Sequence, residues 1–118
     1  MYRITKEFHF SASHRLAGLP EDHPCARLHG HNYIVVVELS AAELDAHGFV
    51  RDYRELAPLK RHIDEALDHR HLNDVFGHEQ VTAEFLARAL HDWCKARWPE
   101  VTAVRVSETP KTWAEYRP

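Results

Sequence analysis

The chain has 118 residues, with 15 Lys and Arg against 18 Asp and Glu and a formal net charge of −3, so no basic excess argues for a nucleic-acid or anionic-membrane partner. That length fits one domain, residues 1–118, which can bury a core without disulfide staples. Two cysteines, no secretory signal and no apolar run long enough to span a bilayer describe a cytoplasmic protein with free thiols.

From Tyr2 to His14 the residues alternate. Ile4, Phe8, Phe10, Ala12 and His14 share one face, with Lys6 the exception, so His14 ends an inward row of a strand. Leu16 to Pro24, with Gly18 and Pro20, has the composition of an exposed loop. Cys25-Ala26-Arg27-Leu28-His29-Gly30-His31 follows, and His31 opens a β-branched run whose inward row continues as Tyr33, Val35, Val37 and Leu39. Ala41 to Gly48 reads as a connection, followed by a short extended piece to Asp52 and one turn at 53–57. A first helix is predicted from Pro58, suited to a first turn, to about His69, with Leu59, Ile63, Ala66 and Leu67 on one face.

Residues 70–79 read as a loop with Asn73, Asp74 and Gly77 as turn residues. A second helix, N-capped by Thr82, is predicted to about Trp98, burying Phe85, Leu86, Ala89, Leu90, Trp93, Cys94 and Trp98. Val101 to Glu108 alternates with Thr102, Val104, Val106 and Glu108 on one face, and a last strand lies around Thr112 to Tyr116. His47, His62, His78 and His91 fall at turns or polar helix positions and are expected in solvent. The order ββααββ is an α+β pattern: a four-stranded antiparallel sheet with two helices on one face. Its open edges invite pairing between subunits.

The chemistry concentrates at the ends of the inward rows. His29 and His31, two apart on a strand, share a face, and His14 ends the neighbouring row, so three imidazoles can meet at a core rim. Three protein ligands leave zinc an open fourth position, the catalytic arrangement. Cys25, in a loop near Arg27 and that metal, reads either as an activated thiolate or as a fourth ligand. Asp68-His69 can shuttle protons or merely finish a helix. Glu108 either offers its carboxylate to a ring bearing two parallel N–H donors, such as a pterin or guanine, or points to solvent.

Cys25-x-x-x-His29-Gly30-His31-Asn32-Tyr33, Ala12-Ser13-His14-Arg15, Leu67-Asp68-His69 with Leu72-Asn73-Asp74, Thr82-Ala83-Glu84, and Glu108-Thr109-Pro110 followed by Trp113-Ala114-Glu115-Tyr116 together resemble the 6-pyruvoyl-tetrahydropterin synthase family, and within it the bacterial 6-carboxy-5,6,7,8-tetrahydropterin synthases. The resemblance implies the tunnelling fold (T-fold), with His14, His29 and His31 as zinc ligands and Cys25 as proton-abstracting base. Asp68 and His69 would form the relay, Glu108 would anchor the pterin and join the relay, and Thr82 would lie at the substrate. It further implies 7,8-dihydroneopterin triphosphate as substrate and a hexamer of two trimers. Rival readings are a pyruvoyl-type synthase and a non-catalytic zinc-dependent pterin binder. Val81 stands where the family carries proline.

Overall fold

The alternation of the first segment forms a 13-residue strand, β1 (Tyr2–His14), which pairs antiparallel along its whole length with β2 (His29–Ala41). In this computed structural model, which describes residues 1–118, β3 (Val101–Ser107) and β4 (Ala114–Tyr116) complete an antiparallel sheet in the order β1-β2-β3-β4. One face holds Phe8, Phe10 and Ala12 of β1 and Tyr33, Val35, Val37 and Leu39 of β2, all buried. Such an alternation is what a sheet covered on one side requires.

The cover is helical. Thr82 caps α3 (Ala83–Lys95) by accepting the Phe85 N–H at 3.1 Å, and Lys95 in the last turn donates to the carbonyls of Pro99 and Val101, joining the helix end to the start of β3. Its buried stripe is Ala83, Leu86, Ala87, Leu90, His91 and Cys94. Phe85, Ala89 and Trp93, expected inside, are half-buried at the margin. Trp93 stacks on His62, with ring centroids 4.4 Å apart, and carries the Arg97 guanidinium 3.5 Å over its ring.

Several expectations need correction. The first helix does not run unbroken from Pro58 to His69: α1 (Ala57–His62) widens into a π turn over Ile63–Leu67, closed by the Asp68 N–H on the Ile63 carbonyl at 2.8 Å. Leu59, Ile63 and Leu67 lie four apart and all stay buried, which the wider turn accommodates. The expected loop at 70–79 contains a short helix, α2 (Leu72–Phe76), anchored by buried Leu72 and ended by Gly77 at φ 59°. Thr102 does not share the core face with Val104, because a bulge opposite Glu38 and Leu39 shifts the register there and turns Val101 inward instead. His91 is not in solvent but only 4% exposed. Its Nδ1 meets Asp92 at 3.0 Å, and its ring packs edge-on against Tyr116. His62, half-buried against Trp93, has its pKa lowered by burial and, secondarily, by Arg97.

Candidate active site

The β1–β2 register sets His14 directly opposite His29 and Ala12 opposite His31, so the two inward rows deliver three imidazoles to one end of the core. Both His14 and His29 donate Nδ1–H to backbone carbonyls, His14 to Val81 at 2.7 Å and His29 to Arg27 at 2.6 Å. A neutral imidazole so held carries a bare lone pair on Nε2. The two Nε2 atoms lie 2.9 Å apart, a spacing that calls for a cation or a shared proton between them. His31 adds an Nε2 that is buried without a hydrogen-bond partner. It sits 3.0 Å from Glu108 Oε2, in an orientation that makes no hydrogen bond. The three candidate ligand atoms lie within 4.8 Å of one another, and this set of nitrogens fits a metal ion. Burial lowers the pKa of His31, opposed by Glu108 and reinforced by His14 and His29. Val81 contributes to the site through its carbonyl, which holds the His14 ring.

Glu108 stands one residue beyond β3, half-buried, on the His31 side of the site. Tyr33, next in the row after His31, has a buried hydroxyl without a partner, and burial together with Glu108 raises its pKa. Local spacing gave no sign of that orphan hydroxyl, because the strand pattern marks Tyr33 only as core. Asp68 accepts the Ser11 N–H on Oδ1 at 2.9 Å and meets His69 Nδ1 through Oδ2 at 2.9 Å. The Ser11 hydrogen bond, then that of His69, lowers its pKa. His69 adopts φ 58°, a left-handed conformation rare for a residue with a side chain, and its N–H bonds the Ser11 carbonyl at 2.6 Å. Its ring is 82% exposed.

Cys25 lies in a short helical turn, Pro24–Ala26, half-buried, with its N–H bonded to His23 Nδ1 and its carbonyl accepting the Leu16 N–H. The three ring nitrogens group without its thiol. Thr82 is occupied as the α3 cap.

Two clefts flank the imidazoles. One, of about 600 Å³, is lined by Ser11, Ser13, His31, His69, Arg70 and His71 among others. The other, of about 310 Å³, is lined by Glu84, Glu108, Glu115 and Trp113 among others. Thr82 and Cys25 line neither.

The sequence matches the model of the family described as 6-pyruvoyl tetrahydropterin synthase over residues 3–118. It is 31% identical over 131 aligned positions to the 6-carboxy-5,6,7,8-tetrahydropterin synthase of Bacillus subtilis, covering 99% of this chain and 86% of that one. It is 34% identical to the protein of the same name from Synechocystis, over 98% of this chain and 93% of that one. The structure of Caenorhabditis elegans 6-pyruvoyl tetrahydropterin synthase superposes with a TM-score of 0.86 at 27% identity, over 99% of this chain and 95% of that chain. A family match across nearly the whole chain, joined to the same T-fold sheet and helices, means that the chain belongs to the 6-pyruvoyl tetrahydropterin synthase family.

Proposed function

We propose that the chain is a zinc-dependent 6-carboxy-5,6,7,8-tetrahydropterin synthase. It converts 7,8-dihydroneopterin triphosphate and water to 6-carboxytetrahydropterin, acetaldehyde and triphosphate, in the cytoplasm, for 7-deazaguanine (queuosine) synthesis. The observation that carries this reading is the convergence of three imidazoles, two of them oriented by backbone carbonyls, beside Glu108 and two open clefts. The names of the Bacillus subtilis and Synechocystis relatives favour the carboxy branch.

His14, His29 and His31 hold the metal, which when bound supplies a Lewis acid toward the substrate's side-chain hydroxyls. Glu108 receives the N–H edge of the pterin as a two-oxygen acceptor and so orients the side chain for proton removal. Cys25 is the base, and the Asp68–His69 pair holds and passes the proton, with Asp68 kept ionised by the Ser11 N–H. The thiol of Cys25, in the loop four residues before His29, speaks against a pure binder, which has no use for a base. Cys25 and the exposed His69 complete their work across subunit contacts, in a hexamer of two trimers. The open outer edges of β4 and of the earlier part of β1 support that assembly.

Incubation with 7,8-dihydroneopterin triphosphate tests the reading. Acetaldehyde and 6-carboxytetrahydropterin are expected, and Glu108→Gln lowers both binding and turnover by replacing an acceptor oxygen with a donor. A pyruvoyl product without acetaldehyde moves the assignment to the other branch. Tight binding of unchanged substrate makes the protein a sensor.

A further inference from the structure

The two clefts beside the imidazoles are sorted by charge. The larger, at about 600 Å³, is bordered by Arg70, His69, His71, the hydroxyls of Ser11 and Ser13 and the amide of Asn32, with no carboxylate in its lining. The smaller has Glu84, Glu108 and Glu115 and no cationic side chain. An extended anion reaching from the imidazoles is repelled by one cleft and attracted by the other. We infer that the cleft formed by Ser13, Arg70 and His71 is a polyphosphate subsite, which holds the phosphate chain of the substrate while the ring enters the acidic cleft beside Trp113. This deepens, and rests on, the assignment of a pterin triphosphate as substrate.

The subsite is built by long-range pairing. The Ser13 N–H donates to the Arg70 carbonyl at 3.1 Å, and Ser13 makes a single parallel bridge to His71, so residues 70 and 71 are held alongside the end of β1. The Ser13 hydroxyl and His71 Nδ1 are 3.0 Å apart, and when the hydroxyl donates, the ring keeps Nε2–H as an outward donor. One Arg70 N–H is spent on the Glu65 carbonyl at 3.2 Å, which steadies the side chain and leaves the rest of the guanidinium fork for a planar pair of phosphate oxygens. His71 also borders a hollow of about 340 Å³ lined by Arg15 and His78 together with Glu79, so a second arginine stands beyond the first cleft.

Calorimetric titration of the zinc-loaded protein with inorganic triphosphate, and separately with unphosphorylated 7,8-dihydroneopterin, tests this. Zinc content is measured before and after each titration, because triphosphate also binds zinc. In Arg70→Gln the affinity for triphosphate should fall about tenfold while that for dihydroneopterin is unchanged. His71→Gln should act in the same direction, and added salt should weaken triphosphate alone. Unchanged triphosphate affinity in Arg70→Gln, or equal loss for both ligands, overturns the subsite. Arg70-dependent triphosphate binding with no binding of dihydroneopterin to the wild type upholds the subsite and instead sinks the pterin assignment.

Discussion

The carboxamide of Asn73 ties both backbone groups of Arg15, the residue after His14. Its oxygen accepts the Arg15 N–H at 3.0 Å, and its nitrogen donates to the carbonyls of Arg15 at 2.9 Å and His78 at 3.0 Å. The next residue, Leu16, donates its N–H to the Cys25 carbonyl, so one side chain steadies both the end of β1 and the docking of the Cys25 turn. Asn73→Ala should cost roughly 2 kcal/mol and loosen zinc, whereas Asn73→Asp, which keeps only the acceptor, should fall between. Urea titration with metal analysis measures both, and unaltered zinc affinity would show that the clamp does not reach His14. The two thiols should separate as sharply. Burial pushes the Cys94 thiol up to about 12, and it should resist alkylation in the native state while half-buried Cys25 is labelled. Cys94→Ala should cost only about 1 kcal/mol.

At the level of elements, the outer face of the sheet is fastened by Glu38 on β2. This carboxylate, 7% exposed, accepts from Arg117 at 2.5 and 2.9 Å and from Thr102 at 2.5 Å, with Arg3 at 3.3 Å. One side chain thus joins β1, β2, β3 and the segment after β4. The Arg117 hydrogen bonds, opposed by burial and aided by Thr102, lower its pKa from 4.5 to about 2. A carboxylate depressed in the folded state stabilises above its unfolded pKa, so this contribution should be complete above pH 4.5 and drain away toward pH 2. Glu38→Gln should lose roughly 2 kcal/mol at neutral pH, and its difference from wild type should shrink across that acid range. Urea midpoints at a series of pH values decide it, and a constant difference would refute the linkage. The bulge that brings Thr102 to Glu38 is also why simple alternation misplaced Thr102: one extra residue reverses the parity of everything before it.

On the scale of the whole molecule, the long β1–β2 pair stretches the chain to 55 × 25 × 23 Å. Residues 69–71 pair with β1 near Ser11 and Ser13, leaving the outer edge of its earlier part open, and β4 bounds the other side of the sheet. An edge of this length is a template for another strand. Sedimentation should therefore show an oligomer, a hexamer on the proposed assembly, with activity lost on dilution below its dissociation range. An active monomer at micromolar concentration would contradict shared sites.

The arrival of His14, His29 and His31 on one face was legible because strand parity is a local rule, and Thr82 and Glu84 marked the start of α3 for the same reason. Glu108 was placed at the end of an inward row by counting alone, since the bulge lies before Val104 and leaves that parity untouched. The sequence by itself thus determined which residue types meet at the rim of the core and the order of strands and helices around them. Only the tertiary structure decided which ring nitrogens face the centre, through carbonyls of Val81 and Arg27, and which cleft carries positive charge, through the pairing of residues 70 and 71 with Ser13. It also decided the burial of His91 and the wide turn before Asp68. The physical reason is range: parity and capping act over a few residues, whereas the bond from His14 to Val81 joins groups 67 residues apart and leaves no periodic trace along the chain.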